Sequence, residues 1–356
     1  MKAPRTELRG SRLSCVFGLL MFNAHLLNDP FGDPGVYAEF KFRRETIFFD
    51  LGDLHALVPR LILKATQIFV SHTHMDHFIG FDQMLRLCLG RDKHLSLFGP
   101  PGFIANIESK LGAYTWNLVE NYENDFELLV TEIHPDHRSL RRYRCQEAFR
   151  PGAANKEWVA FDGLVTDSPH YTVRGAFLDH KIPCLAFSLE EKKKINIKKN
   201  VLQEMGLSVG AWLVDFKERI LHDEPDDTGI RAWWKDAEKK IVERFFHLGE
   251  LKEKIVKITP GQKISYISDV IYSDENARKI ADLAHRSDIM FVEACFLEED
   301  KGKAAEKYHL TAKQAGMLAR RAEAKRMVLF HFSPKYKGFG HLLVDEATQA
   351  YGLSGK

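Results

Sequence analysis

Six residues, His72-Thr73-His74-Met75-Asp76-His77, follow an apolar run at 67–70 and precede a turn at Gly80. Three imidazoles and a carboxylate in so short a stretch constrain this chain more than any other feature. Burying that many ionisable groups without a counter-ion is expensive. Imidazole with carboxylate suits zinc, with manganese or iron as further options. Alternate residues of an extended loop cannot all face one point. His72 and His74 can share one ion while Asp76 and His77 turn toward a second. Four local donors do not complete two sites, so distant residues must reach the same edge.

Candidates for those residues stand at other strand ends. Apolar runs at 46–49, 264–268, 289–292 and 327–330 predict strands, and Asp50, Asp269, Glu293 and His331 terminate them. Asp269 is placed to bridge two cations with one carboxylate. His180 lies in a turn before the strand predicted at 184–189. Helical spacing at Phe81, Met84, Leu85 and Cys88, and at Ala277, Ile280, Leu283 and Ala284, predicts helices between strands. Ser273 caps the second of these, and Thr311 with Gln314 forms a capping box for another. A helix with Ile107, Leu111 and Tyr114 on one face is expected at 106–117, a strand at 158–166, and a helix at 236–248 with Ile241, Phe245 and Leu248 inside. Polar groups collected at strand ends define a layered α/β fold with a site on rigid supports.

Composition sets the remaining limits. The 356 residues are 45% hydrophobic and 28% charged, which excludes a disordered or fibrous chain. Lysine and arginine number 51 against 49 aspartates and glutamates, so any affinity for nucleic acid must be local. Five scattered cysteines exclude a disulfide framework and point to a reducing cytoplasm. No run of 18 apolar residues spans a membrane. Lys2, Arg5, Arg9 and Arg12 before the apolar stretch 15–22 loosely imitate a secretion signal, but no small-x-small cleavage site follows. Residues 1–24 are expected to be a leader or first strand, 25–356 a single domain, and 190–262 an insertion or lid within it.

His72 to His77 resembles the signature of the metallo-β-lactamase superfamily. Tyr266-Ile267-Ser268-Asp269 resembles that family's strand ending in a bridging aspartate, and Phe291-Val292-Glu293-Ala294-Cys295-Phe296 its Glu-Ala-Thr-Phe-like stretch. His309-Leu310-Thr311, His331-Phe332-Ser333-Pro334-Lys335-Tyr336 and the loop from His180 to Leu185 are similar to segments of ribonuclease Z, the transfer-RNA 3′-processing endonuclease. The resemblance covers about 36–340.

That resemblance implies a four-layer αββα sandwich of two mixed sheets packed face to face with helices outside. It implies two Zn2+ (Mn2+ or Fe2+ as alternatives), one held by His72, His74 and His180, the other by Asp76, His77 and His331, with Asp269 bridging. Asp76 serves the site as ligand and catalytic residue, a hydroxide between the metals attacks, and His309 protonates the leaving oxygen with Glu293 orienting it. Asp50 would support a ligand imidazole from behind. Ser333, Lys335 and Tyr336 would receive a substrate phosphate. The implied activity is a phosphodiesterase, an RNA endonuclease acting on precursor transfer RNA; the alternative is a hydrolase of small or cyclic phosphodiesters. A homodimer is open to it.

The chain departs from the family in three places. Lys335 stands where arginine is usual, the Gly-Pro-rich flexible arm is not visible at 190–262, and 28–35 replaces the usual glycine-rich first-strand start. Local basic groups remain: Arg138, Arg141, Arg142 and Arg144 around Tyr143, and lysines at 192–199, all suited to phosphate contacts. Trp233 and Trp234 read as a helix docking on the core or a subunit contact. His134 and His137 read as surface or cleft residues.

Overall fold

The computed structural model describes residues 22–352 except 42, 193 and 237. Of the leader or first strand expected at 1–24, residues 1–21 therefore lie outside the described residues, and 22–24 belong to the first strand described. The first sheet is built in chain order from β1 (Phe22–Leu26), β2 (Val36–Phe40), β3 (Thr46–Phe49), β4 (Ala65–Phe69), β5 (Lys93–Gly99), β6 (Phe126–Ile133), β7 (Arg138–Arg144) and β8 (Asn155–Glu157). Strands β3 to β6 are parallel and the flanking pairs antiparallel.

The second sheet begins with β9 (Leu164–Asp167), β10 (Tyr171–Asp179) and β11 (Pro183–Glu191). The chain then leaves it to form two small ladders from β12 (Lys194–Ile197), β13 (Gly229–Lys235), β14 (Ile241–His247) and β15 (Val256–Thr259). It returns as β16 (Lys263–Ile267), β17 (Ile289–Glu293) and β18 (Met327–Phe330), giving the order β18-β17-β16-β11-β10-β9.

Side chains decide the layering. Phe49, Phe69, Phe187 and Tyr266 meet between the sheets in one buried cluster. The outer face of the first sheet packs on the helices Gly80–Cys88 and Phe103–Gly112. The outer face of the second packs on Asp274–Leu283, Ala312–Arg321 and Gly340–Tyr351. The result is helix, sheet, sheet, helix: an αββα sandwich. Ser273 accepts from the Asn276 amide, and Thr311 with Gln314 closes a reciprocal capping box, so both helices start where their caps place them.

Residues 194–259 carry a separate apolar core that includes Leu202, Trp212, Phe216, Ile230 and Leu251. β11 and β16 are antiparallel, with Glu190 paired to Lys263, so this unit leaves the sandwich beyond the C-terminal end of β11. His180 precedes the other end of that strand. Nine residues at about 3.3 Å each put roughly 30 Å between the two ends.

Three expectations are corrected. The helix expected at 236–248 is instead the turn after β13 and the strand β14 that pairs with it, followed by the helix Leu248–Ile255. The Asp236 carboxylate accepts from the amides of Glu238 and Lys240, a turn that competes with helix. Ile241 and Phe245 are exposed, while Trp233 and Trp234, on β13 rather than a helix, sit half-buried on the separate core. The expected helix at 106–117 runs Phe103–Gly112, leaving Tyr114 exposed beyond its end. Of the strand expected at 158–166 only the end is strand, in β9; 158–163 link β8 to β9, and Trp158 there is exposed. The four described cysteines are buried and free. Among the described residues no helix is long and apolar enough to cross a membrane.

Candidate metal centre

The C-terminal ends of β3, β4, β16, β17 and β18 and the turn before β11 converge on one end of the sandwich. Three overlapping groups of donor atoms form there, each within 4.8 Å of one another: His72, His74, His180 and Asp269; Asp76, His77 and His331; and Asp269, Glu293, His309 and His331. Oδ2 of Asp269 lies 3.4 Å from Nε2 of His180, 3.4 Å from Nε2 of His77 and 3.7 Å from Nε2 of His72. It therefore touches both of the first two groups. Nε2 of His331 is 3.2 Å from Asp76, and its Nδ1 is 2.8 Å from Oδ1 of Asp269 without hydrogen-bond geometry.

The fit to cations rests on orphaned nitrogens. Nε2 of His72 and of His77 are buried with no hydrogen-bond partner, yet both point at Asp269. Such atoms are costly unless something accepts them. The second nitrogen of His77 and of His180 is fixed from behind: Nδ1 of His77 meets Asp50 at 2.8 Å, and Nδ1 of His180 meets the Tyr308 carbonyl at 2.8 Å. Fixing one imidazole nitrogen this way presents the other as a ligand.

Electrostatics express the same crowding. Burial pushes the His72 imidazole down to about 2, helped by the neighbouring His77. Burial opposes protonation of His77 too, but Asp269 and Asp50 outweigh it and raise the group to about 10. Burial opposes ionisation of Asp76, and the His331 contact overrides it, holding the carboxyl near 2. His309 donates through Nδ1 to Glu293 at 2.9 Å, and the other Glu293 oxygen accepts from the Val270 amide at 2.8 Å. Burial pushes His309 down; Glu293 outweighs it and the imidazole is raised.

The backbone is bent to suit. Asp50, Lys181, Tyr308 and His331 all have positive φ, between 57° and 64°, a conformation that non-glycine residues adopt under constraint. Gly80 brings the histidine loop against the loop after β3: a Cβ there would stand 2.3 Å from the Gly52 carbonyl oxygen. The 28–35 loop closes another side, its Pro30 carbonyl accepting from the Phe332 amide at 2.7 Å.

Other candidates fall elsewhere. Lys335 Nζ and the Tyr336 hydroxyl both contact Asp300, and Ser333 caps its own short turn. These partners occupy the groups expected to receive a phosphate. On β7, Arg138 pairs with Ile133 at the metal end of the sheet, but Arg144 pairs with Glu127 at the opposite end. The arginine row thus runs away from the centre, with Arg141 on Glu108 and Arg142 and Arg144 on Glu127. Lys192 follows the far end of β11, and Lys198 and Lys199 come after β12. Sequence reasoning missed the role of Tyr266, whose hydroxyl donates to Asp50 from inside the core. A tyrosine among the polar residues of the strand run that ends at Asp269 was the available signal.

Fold and centre agree with what the chain resembles. A family model described as "Beta-lactamase superfamily domain" matches residues 255–332. The chain resembles the metallo-β-lactamase superfamily and, within it, ribonuclease Z. It is 26% identical to "Ribonuclease Z" of Deinococcus radiodurans, over 89% of this chain and 92% of that protein. It is 26% identical to "Ribonuclease Z" of Bacillus subtilis, over 87% of this chain and 85% of that protein. Among solved structures, the metallo-β-lactamase fold protein YhfI from Bacillus subtilis superposes with a TM-score of 0.51 at 13% identity, covering 92% of each chain. That likeness concerns the fold.

Proposed function

We propose that this protein is a dinuclear zinc phosphodiesterase, an RNA endonuclease that cuts precursor transfer RNA on its 3′ side. The observation that carries it is the pairing of a seven-residue donor set with the His309–Glu293 dyad beside it. Relatives named ribonuclease Z over most of the chain support the RNA reading. His72, His74 and His180 would hold one ion, Asp76, His77 and His331 the second, and Asp269 would stand between them. Five imidazoles and two carboxylates favour zinc over harder cations.

When bound, the ions supply Lewis acidity that lowers the pKa of a coordinated water and offsets charge on the phosphate oxygens. The protein's own groups supply the rest. Asp50 and the Tyr308 carbonyl keep two imidazoles oriented. His309, raised by Glu293, carries its proton to the leaving ribose O3′ as the P–O3′ bond breaks. Glu293 holds the Nδ1 proton throughout, so Nε2 is the nitrogen that gives up its proton. The product is a 3′-hydroxyl on the transfer-RNA part and a 5′-phosphate on the trailer. We place this activity in the cytoplasm.

The second reading, hydrolysis of small or cyclic phosphodiesters, is favoured by one set of observations. Arg144 and Lys192 stand at the far end from the centre, and Lys335 is held by Asp300. The test compares labelled precursor transfer RNA, a generic hairpin RNA and cyclic nucleotides at equal enzyme. Preferred turnover of the precursor is expected. Turnover of cyclic nucleotides with no site-specific RNA product would make the second reading the better account.

A further inference from the structure

At the metal end of the first sheet, three flat side chains lie in succession on the turn after β6 and the residue after β8. The His134 and His137 rings stack 4.0 Å apart at 13°, and His137 lies 5.0 Å from the Trp158 ring. Trp158 is 71% exposed, an unusual state for the largest apolar side chain. Lys156 Nζ sits 5.6 Å over that indole. The imidazoles are spoken for: His134 meets Glu132 at 2.6 Å and His137 meets Asp136 at 2.8 Å. Neither belongs to any of the three donor groups found among the described residues.

The group is braced toward the metal centre from two sides. The second Glu132 oxygen accepts from the Ile104 amide in the first turn of the helix Phe103–Gly112. Two residues on, Asn106 donates to Thr73, between His72 and His74, at 2.6 Å. On the other side, the Phe161 amide donates to the Pro135 carbonyl at 2.9 Å, and the Phe161 ring packs on Phe177, three residues before His180. β8 carries Lys156 and leads into Trp158 at this same end, because Glu157 pairs with Arg138. A rigid support thus holds the exposed Trp158 indole and Lys156 at the metal end of the sheet, with the largely covered His137 and His134 rings behind the indole.

We propose that Trp158, backed by His137 and His134, is a stacking platform for unpaired nucleotides of the substrate, with Lys156 meeting their phosphates. The proposal rests on the RNA reading above and extends it: the nucleotides that stack are single-stranded ones flanking the cut. Every base has a π-face, so such a surface grips without regard to sequence. Bases on the platform would be anchored to the two supports that carry Thr73 and His180, which fixes the adjoining phosphate relative to the donor groups.

The test uses the full-length, zinc-loaded protein. In a His309→Ala background, binding of a fluorescent eight-nucleotide single-stranded RNA is titrated with and without Trp158→Ala and Trp158→Phe. Trp158→Ala is expected to weaken binding by about 5- to 100-fold, and Trp158→Phe to retain most of it. With His309 intact, Trp158→Ala should raise KM for a precursor with an unpaired 3′ extension and leave turnover of a nitrophenyl phosphodiester unchanged. Equal RNA binding by wild type and Trp158→Ala would overturn the platform. Loss of nitrophenyl turnover in Trp158→Ala would also overturn it, since the residue would then act on the centre itself. Trp158-dependent RNA binding in a protein that cleaves no RNA would support the platform and refute the endonuclease reading.

Discussion

The Tyr266 hydroxyl donates to Oδ2 of Asp50 across 2.7 Å, and Nδ1 of His77 meets that same oxygen at 2.8 Å. Ser71 adds its amide at 2.6 Å and its hydroxyl at 2.7 Å, so one fully buried carboxylate ties β16, β3 and the histidine loop together. Burial, aided by Asp50, raises the Tyr266 hydroxyl well above its ordinary range, so it stays a donor at any working pH. Tyr266→Phe deletes that donor, and with it the hydroxyl's contact with the Ser268 side chain. A hydrogen bond to a charged group is worth about 1.5–3 kcal/mol, and that loss should appear in chemical denaturation. Loss of a supporting contact costs roughly 10- to 100-fold in metal affinity. Competition with a chelator should show a loss at the lower end, because Asp50 keeps its other donors. Unchanged affinity would remove Tyr266 from the metal centre's support.

Chelated protein should show a stability maximum near neutral pH. His77 is raised from 6.5 to about 10 in the folded chain, so its contribution is complete below 6.5 and is lost as pH climbs toward 10. His72 is depressed from 6.5 to about 2, so the unfolded chain takes up a proton that the fold refuses, and stability falls as pH drops below 6.5. Thermal melts of the chelated protein across pH 5–10 should therefore peak near pH 6.5. Zinc competes for the same nitrogens, so loading should raise Tm most at the alkaline end, where the His77 proton is already gone. A melting temperature of the chelated protein that rises steadily from pH 6.5 to 10 would contradict the His77–Asp269–Asp50 arrangement.

His309→Ala should keep both metals and slow diester cleavage by roughly 10²- to 10⁴-fold, the usual cost of a positioned general acid. The loss should shrink on a nitrophenyl diester, whose leaving oxygen needs no proton. Rates on paired substrates with good and poor leaving groups decide it. Equal losses on both would deny His309 the proton-transfer role, and loss of metal would make it a ligand.

Much of this architecture was legible because apolar runs ended abruptly on charged or imidazole groups. Strands β3, β16, β17 and β18 lie within a residue or two of where Asp50, Asp269, Glu293 and His331 cut those runs off. The caps at Ser273 and Thr311 were equally readable, since local hydrogen bonds fix them. What failed was non-local. Ile241, Phe245 and Leu248 satisfy helical spacing, but the pairing of β13 with β14 and the Asp236 turn overrode it. The arginines of β7 form a cluster in sequence and a line in space, because a strand spreads consecutive residues along its length. The contact between Tyr266 and Asp50 joins residues 216 apart. No spacing rule reaches that far.

The central claim is that this centre cuts one phosphodiester in precursor transfer RNA, and mapping the product ends tests it most directly. Zinc-loaded protein should convert an end-labelled precursor into two fragments, severed just after the acceptor stem. The upstream fragment should carry a 3′-hydroxyl and the trailer a 5′-phosphate. Both products should vanish with Asp269→Ala, which removes the carboxylate that both donor groups share. An intact precursor, or scattered cleavage indifferent to Asp269, would contradict the account.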